Sequence, residues 1–238
     1  MQMTTAPTAE LGYLIGELGW NKKRAKLLVT LWGTLLPLSL IAVLTIIGIP
    51  AFVAHLWFVQ RSFQRLKSSQ PILTLYEKGL VDNRQNKAVV LHYADIRKVY
   101  MAINTVMGQR FHDYTVHTQT GGCLKFGIEV ASTNQLGEAI QEGMLASQLQ
   151  RHLSDLENGE SISFDNLCLS AKGLTLRNKQ LSWQDFQYAK INTLKTSKFT
   201  VNCLDIHQKN QDSFWARFHR NKFPNLFLFF ALTEYFSQ

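Results

Sequence analysis

Residues 27–59 read LLVTLWGTLLPLSLIAVLTIIGIPAFVAHLWFV: 33 consecutive positions, Leu27 to Val59, without Asp, Glu, Lys or Arg. A bilayer core of about 30 Å needs roughly 20 apolar residues as a helix, whereas an apolar run of about 10–14 suits a buried core helix. The run is therefore expected to be a transmembrane segment, and the chain a membrane-anchored α+β protein. As one helix it would be about 50 Å long at about 1.5 Å per residue, well beyond the bilayer core. Gly48-Ile49-Pro50 offers a break, because proline lacks a backbone donor and disfavours helix in the residue before it. A two-armed hairpin is the favoured expectation. One long span kinked at Pro37 is the alternative.

The flanks of the run are basic. Lys22, Lys23, Arg24 and Lys26 precede it, and Arg61, Arg65 and Lys67 follow it. Such residues orient a span by staying on the cytoplasmic side, and both flanks comply only if the chain returns. The sequence thus predicts an integral protein of the inner (cytoplasmic) membrane with its remaining mass in the cytoplasm. His55, the one ionisable side chain in the run, lies near Trp57 and is expected at the interface. Upstream, Met1–Glu10 is small and polar and reads as disordered. Leu11, Leu14, Ile15 and Leu18 have helical spacing beside Tyr13 and Trp20, which suits either a short interfacial helix or an irregular lead-in. The late charge cluster and the length of the run exclude a secretory signal peptide.

The formal charge of +8 is uneven: +5 in residues 1–67, −1 in 68–157 and +4 in 158–238. Juxtamembrane basic residues fit anionic lipid headgroups better than nucleic acid, for which no motif is present. Cys123, Cys168 and Cys203 are odd in number and far apart. They support neither a disulfide framework nor a zinc site, and read as small buried hydrophobes in a reducing compartment.

Beyond residue 67 the chain is written twice. Leu73-Thr-Leu-Tyr-Glu-Lys78-Gly79-Leu80 matches Leu167-Cys-Leu-Ser-Ala-Lys172-Gly173-Leu174, both L-x-L-x-x-K-G-L. Leu91-His-Tyr93-Ala-Asp95-Ile96 then matches Leu181-Ser-Trp183-Gln-Asp185-Phe186. Period-2 alternation bounded by turn residues predicts strands in each copy, with Gly79 and Gly173 in tight turns or bulges. A helix is expected from Ser132, where S-T-N-Q has capping-box form, to Asn158-Gly159. A second is expected from Pro224 to Phe236. The division is a tail at 1–26, a transmembrane segment at 27–66, and domains at 68–158 and 159–238. Six or seven strands closed by a C-terminal helix is the element order of the pleckstrin-homology (PH) superfold, so each domain is expected to be a PH-like barrel or sandwich.

The residues that carry a family resemblance are Leu75-Tyr76-Glu77-Lys78-Gly79-Leu80-Val81 in the first copy. In the second they are Ile162-Ser163-Phe164, Leu167-Cys168-Leu169, Lys172-Gly173-Leu174, Leu181-Ser182-Trp183 with Asp185, and Phe223-Pro224-Asn225. On these the chain resembles an uncharacterised bacterial family with a short lead, an apolar membrane segment and tandem PH-like halves. Asp165 stands where such relatives often have Gly. The resemblance implies no chemistry and supplies no active-site residues.

Candidate chemistry is sparse. His112 and His117 are an odd number apart, so a regular strand points them to opposite faces, against a shared metal. Asp95 and Asp185, one per copy, read as turn or cap residues after a strand rather than as a catalytic pair. No Walker, G-x-S-x-G or G-x-G-x-x-G sequence occurs. Neither a metal nor a cofactor is implied. Two basic clusters stand out in the second copy: Lys190, Lys195 and Lys198, and Arg217, His219, Arg220 and Lys222. They are solvated surface charge or, functionally, contacts to the anionic leaflet or a phosphorylated headgroup. The expected function is a non-enzymatic binding or scaffolding protein whose PH-like domains take a lipid headgroup or an unknown protein partner. The alternative is an accessory subunit of a membrane complex that contacts partners through the apolar helices.

Overall fold

The computed structural model describes residues 8–42, 48–85, 87–106, 109–195 and 200–237. Strand β1 (Leu14–Leu18) leads into helices α1 (Lys22–Ala42) and α2 (Gly48–Lys67). Strands β2 (Leu73–Tyr76), β3 (Gly79–Asp82) and β4 (Val89–His92) follow, and the antiparallel sheet order is β1-β2-β3-β4. Strands β5 (Ile96–Val106), β6 (Gln109–Thr118) and β7 (Cys123–Phe126) make a three-stranded sheet, closed by helix α3 (Thr133–Glu157). The order then recurs. Strands β8 (Ser161–Phe164), β9 (Leu167–Ser170), β10 (Gly173–Leu176) and β11 (Lys179–Ser182) form one sheet. Strands β12 (Phe186–Lys195), β13 (Thr200–Gln208) and β14 (Phe214–His219) form another, and helix α4 (Leu226–Phe236) ends the chain.

The repeated segment explains the repeated fold. Leu73, Leu75, Leu80 and Leu91 are buried in the first sheet, and Leu167, Leu169, Leu174 and Leu181 in its counterpart. Their alternation puts one face of each sheet on a core. The repeated glycine answers a close approach. A Cβ on Gly79 would lie 2.3 Å from the Leu91 carbonyl oxygen, and one on Gly173 would lie 2.1 Å from that of Leu181. Two hydrophobic clusters result. Helix α3 serves both: Leu136, Ile140 and Met144 pack into the first, and Leu156 into the second beside Phe229 and Leu232 of α4.

Strand β1 is where the structure departs most from the sequence reading. Leu14–Leu18 is not an interfacial helix; it pairs antiparallel with β2, Leu18 opposite Leu73. The spacing of Leu11, Leu14, Ile15 and Leu18 fits a helix, but β2 offers backbone partners for the segment. Strand β1 thus holds the place in its sheet that β8 holds in the other. Between β8 and β9 lies a two-residue turn, with Asp165 left-handed at φ 57°. Between β1 and β2 lies the whole α1–α2 hairpin. Asn21 seats its base: its Oδ1 accepts from the Arg24 amide (3.2 Å), and its Nδ2 donates to the Ile128 carbonyl (3.0 Å).

The transmembrane expectation is corrected here, and with it the membrane-anchored fold class and the integral inner-membrane location. Among the described residues no helix is long and apolar enough to cross a membrane. The 33-residue run does not form one helix. In α1 the uncharged stretch runs from Leu27 to Ala42, because Lys22, Lys23, Arg24 and Lys26 occupy the first turns. In α2 it runs from Gly48 to Gln60, because Arg61, Arg65 and Lys67 occupy the last. At about 1.5 Å per residue these stretches reach roughly 24 and 20 Å, short of a bilayer core of about 30 Å. Pro50 sits in the first turn of α2, where its missing donor costs no helical bond. Pro37 lies within α1.

Buried His55 ties the hairpin together: its Nε2 lies 2.5 Å from the Trp32 carbonyl oxygen, and its ring stands edge-on to that indole. Leu31, Ile49, Val53, Trp57 and Phe58 remain exposed on the hairpin. Arg61 stacks on Trp57 and Arg65 on Trp20. Two smaller expectations also change. Ser132 precedes α3 without a side-chain capping bond, and Cys123 is exposed at the start of β7.

If the hairpin is an insert in a turn, replacing residues 22–67 by a short Gly-Ser linker leaves both units folded. A single cooperative thermal transition within about 5 °C of the parent is expected, as for a change near 1–2 kcal/mol in a chain of this size. Loss of cooperative unfolding would contradict the insertion.

Candidate binding cleft

The two units meet where β14 turns into α4. A short 3₁₀ turn, Arg220–Lys222, follows β14, and Asn225 then takes a left-handed conformation at φ 50°. Asparagine tolerates that region better than other non-glycine residues. Its side chain makes no capping bond to α4, because it is engaged by β5. The Val99 amide donates to Asn225 Oδ1 (2.7 Å), Nδ2 donates to the Arg97 carbonyl (3.0 Å), and the Asn225 amide donates to the Val99 carbonyl (2.9 Å). Asp165, in the β8–β9 turn, adds an ion pair to Lys98 and accepts from the Tyr100 hydroxyl (3.0 Å). The residue that replaces the expected glycine therefore also joins the units.

Two cavities open beside this junction and share Met101 and Arg220 in their walls. One, of about 300 Å³, has a mixed wall, with Asn104, Thr200, Asn202, Asn221 and Lys222 beside Ile103 and Val201. The other, of about 400 Å³, runs between the sheets and α4; Tyr114, Ile191, Leu226, Phe227 and Phe230 wall one part of it, and His112, Asn134, Glu138 and Gln141 another. The Arg220 guanidinium lies between them, half-buried. Among the described residues its Nε is buried without a hydrogen-bond partner, and one terminal nitrogen lies 3.6 Å from Met101 Sδ, a weak acceptor. Burial lowers its pKa from the ordinary arginine value, so the charged form is under-compensated where it stands. The Tyr114 hydroxyl is pushed up to about 12, first by burial, and stays a neutral donor.

Two other arginines meet carboxylates. Arg217 meets buried Asp205 through two bonds (Nε–Oδ1 2.6 Å, Nη2–Oδ2 2.7 Å) and lies over the Phe214 ring. Arg84 binds Asp82 and Glu129 and covers the Phe126 ring. A third cleft, of about 650 Å³, lies between α3 and β8 and carries Arg97, Lys98 and Arg151 together with Asp155 and Glu160. Lys98 is committed to Asp165, and the remaining charges oppose one another.

The predicted basic residues therefore separate. Arg220 and Lys222 come together at the cleft. Lys190, Asp205 and Arg217 form one row across β12, β13 and β14, on the face opposite the neighbouring row that contains Ile191. Lys190 turns to Tyr188, whose ring it covers at 4.9 Å. Lys195 ends β12 in the backbone description, and Lys198 lies outside the described residues. Lys22, Lys23, Arg24, Lys26, Arg61, Arg65 and Lys67 gather at the base of the hairpin, away from the cleft. His112 contacts Asn134, whereas His117 stands edge-on to Tyr100, so the two imidazoles serve different places. The Asp95 and Asp185 carbonyls accept from Gln119 and Lys209, equivalent turn roles in the two units. Met101, Tyr114, Phe227 and Phe230 were not singled out by the sequence. Their wall exists only once α4 docks between the units.

Fold and site together define an α+β protein of two antiparallel sheet-and-helix units that meet at a cleft whose arginine has no carboxylate partner among the described residues. The chain belongs to the family of unknown function DUF6585, whose model matches residues 4–238. No curated protein matches it.

The Asp205–Arg217 pair sets an acid-sensitivity test. The bonds from Arg217 hold the Asp205 carboxyl below its usual range, against burial. Stability from the pair is present above the ordinary carboxylate pKa near 4 and is lost as pH falls through the depressed folded value. Arg217→Gln is expected to lower unfolding free energy by about 2 kcal/mol at neutral pH. In urea titrations the deficit should shrink below about pH 4, in the linkage direction just given; a deficit independent of pH would contradict the assignment.

Proposed function

We propose that the chain is a non-enzymatic binding protein whose inter-unit cleft takes the phosphate or carboxylate of a small ligand or headgroup on Arg220, assisted by Lys222. The observation that carries this reading is the half-buried guanidinium whose Nε has no partner, in a molecule where Arg84 and Arg217 each meet carboxylates. Arginine presents donors in a planar fork that matches such groups, so a ligand anion supplies what the protein leaves out. A four-stranded sheet, a three-stranded sheet and a closing helix, in that order and twice, support reading each unit as PH-like. That is an argument from architecture, and fold alone does not name a ligand.

A second reading rests on a separate observation, the exposed Ile49, Val53, Trp57 and Phe58 of the hairpin. Exposed apolar patches of this kind mark contact surfaces, here for the apolar helices of a partner complex, with the chain as accessory subunit. Val53→Asp with Phe58→Asp is expected to remove a stoichiometric partner from the natively purified protein. Retention of the same partner at the same ratio would count against it.

The principal reading is tested by titrating the full chain with inorganic phosphate and with glycerol 3-phosphate, followed calorimetrically. Arg220→Gln should weaken binding at least tenfold, the size of a lost charge-assisted bond of about 1.5–3 kcal/mol. Arg217→Gln should bind as the parent does, because that side chain is committed to Asp205. Equal affinity of parent and Arg220→Gln would refute the reading.

A further inference from the structure

We infer that the ligand is a single-chain anionic amphiphile, with its acidic head in the first cavity on Arg220 and Lys222 and its apolar chain in the second cavity along Phe227 and Phe230. This rests on the reading of Arg220 as an anion site and adds the other half of the ligand. Arg220 and Met101 belong to the walls of both spaces, so the guanidinium marks the border between them. On one side stand the amides of Asn104, Asn202 and Asn221 with Lys222; on the other, the more apolar of the two, Ile191, Leu226 and the two phenylalanines form the α4 wall opposite the polar residues of α3. Phe227 and Phe230 are only partly buried, and Phe227 packs on both hydrophobic clusters. An apolar chain laid there removes aromatic surface from water on the same line that leads to an uncompensated positive charge. The volumes, about 300 and 400 Å³, fall in the range of small-molecule sites.

The occupant is thus a fatty carboxylate or alkyl phosphate rather than a free anion. Glu138, exposed on α3 at the rim of the second cavity, faces that space and disfavours an acidic group there, which fixes the head at the Arg220 end.

The experiment titrates the full chain with inorganic phosphate and with butyl, octyl and dodecyl phosphate, all below their micellar concentrations. Affinity should rise by about fourfold per methylene until the cavity is filled, the equivalent of about 0.8 kcal/mol per buried CH₂. Phe230→Ser should flatten the chain-length dependence relative to the parent. Arg220→Gln should weaken every member of the series by a similar factor. Alkyl phosphates that bind no better than inorganic phosphate would overturn the amphiphile and leave the anion site standing. Binding of none of the probes would overturn both. The chain-length series on the parent protein needs no variant, so it decides the matter even if Phe230→Ser fails to fold.

Discussion

Three hydrogen bonds between Asn225 and the backbone of β5 hold the molecule in its arrangement. They pair residues more than 120 positions apart and use both ends of one amide, so the groups they satisfy are buried and mutually dependent. A buried donor or acceptor left without its partner costs about 1–3 kcal/mol, which makes this contact expensive to lose. It also has geometric consequences. With Asn225 fixed left-handed on β5, α4 must start at Leu226 and the turn Arg220–Lys222 must lie against the first unit. The cleft is a by-product of that lock. Arg220 stands five residues from it, close enough to be carried to the junction.

The insertion between β1 and β2 follows a related logic. A sheet whose first strand is separated from its second by an α-helical hairpin is closed by non-local pairing, and non-local closure is entropically costly. The cost is offset at the base of the hairpin, where Asn21 caps α1 and bonds the Ile128 carbonyl, and where Trp20 bridges Val130. The second unit makes the same strand connection with Asp165 and Asn166 alone. One connection has become a projecting arm with an exposed apolar face. The other has become part of the inter-unit joint.

Much of this was legible in the sequence, for physical reasons that can be named. The L-x-L-x-x-K-G-L repeats carry their own instructions: alternation buries the leucines, and the glycine admits the neighbouring carbonyl. The repeated strand pairs β2–β3 and β9–β10 and the helices α3 and α4 therefore lie close to where spacing places them. Leu14–Leu18 was misread because its partner strand begins 55 residues further on, where local periodicity carries no information. The 33-residue run was misread because an absence of charge says how greasy a stretch is, not how far one helix continues through it. Arg217 and Arg220 are indistinguishable as sequence. Only strand register, which sets Asp205 opposite Arg217, makes one a structural pair and leaves the other free at the cleft.

The claim that most depends on this chain of reasoning is that the Arg220 guanidinium is the group that receives a ligand. The direct measurement is the ¹⁵N–¹H resonance of the Arg220 side-chain Nε in the full chain, assigned by its loss in Arg220→Gln. On addition of octyl phosphate the account predicts that this resonance shifts with saturation and exchanges more slowly with water, while that of Arg217 stays in place. An Arg220 resonance that does not move at saturating ligand would contradict it.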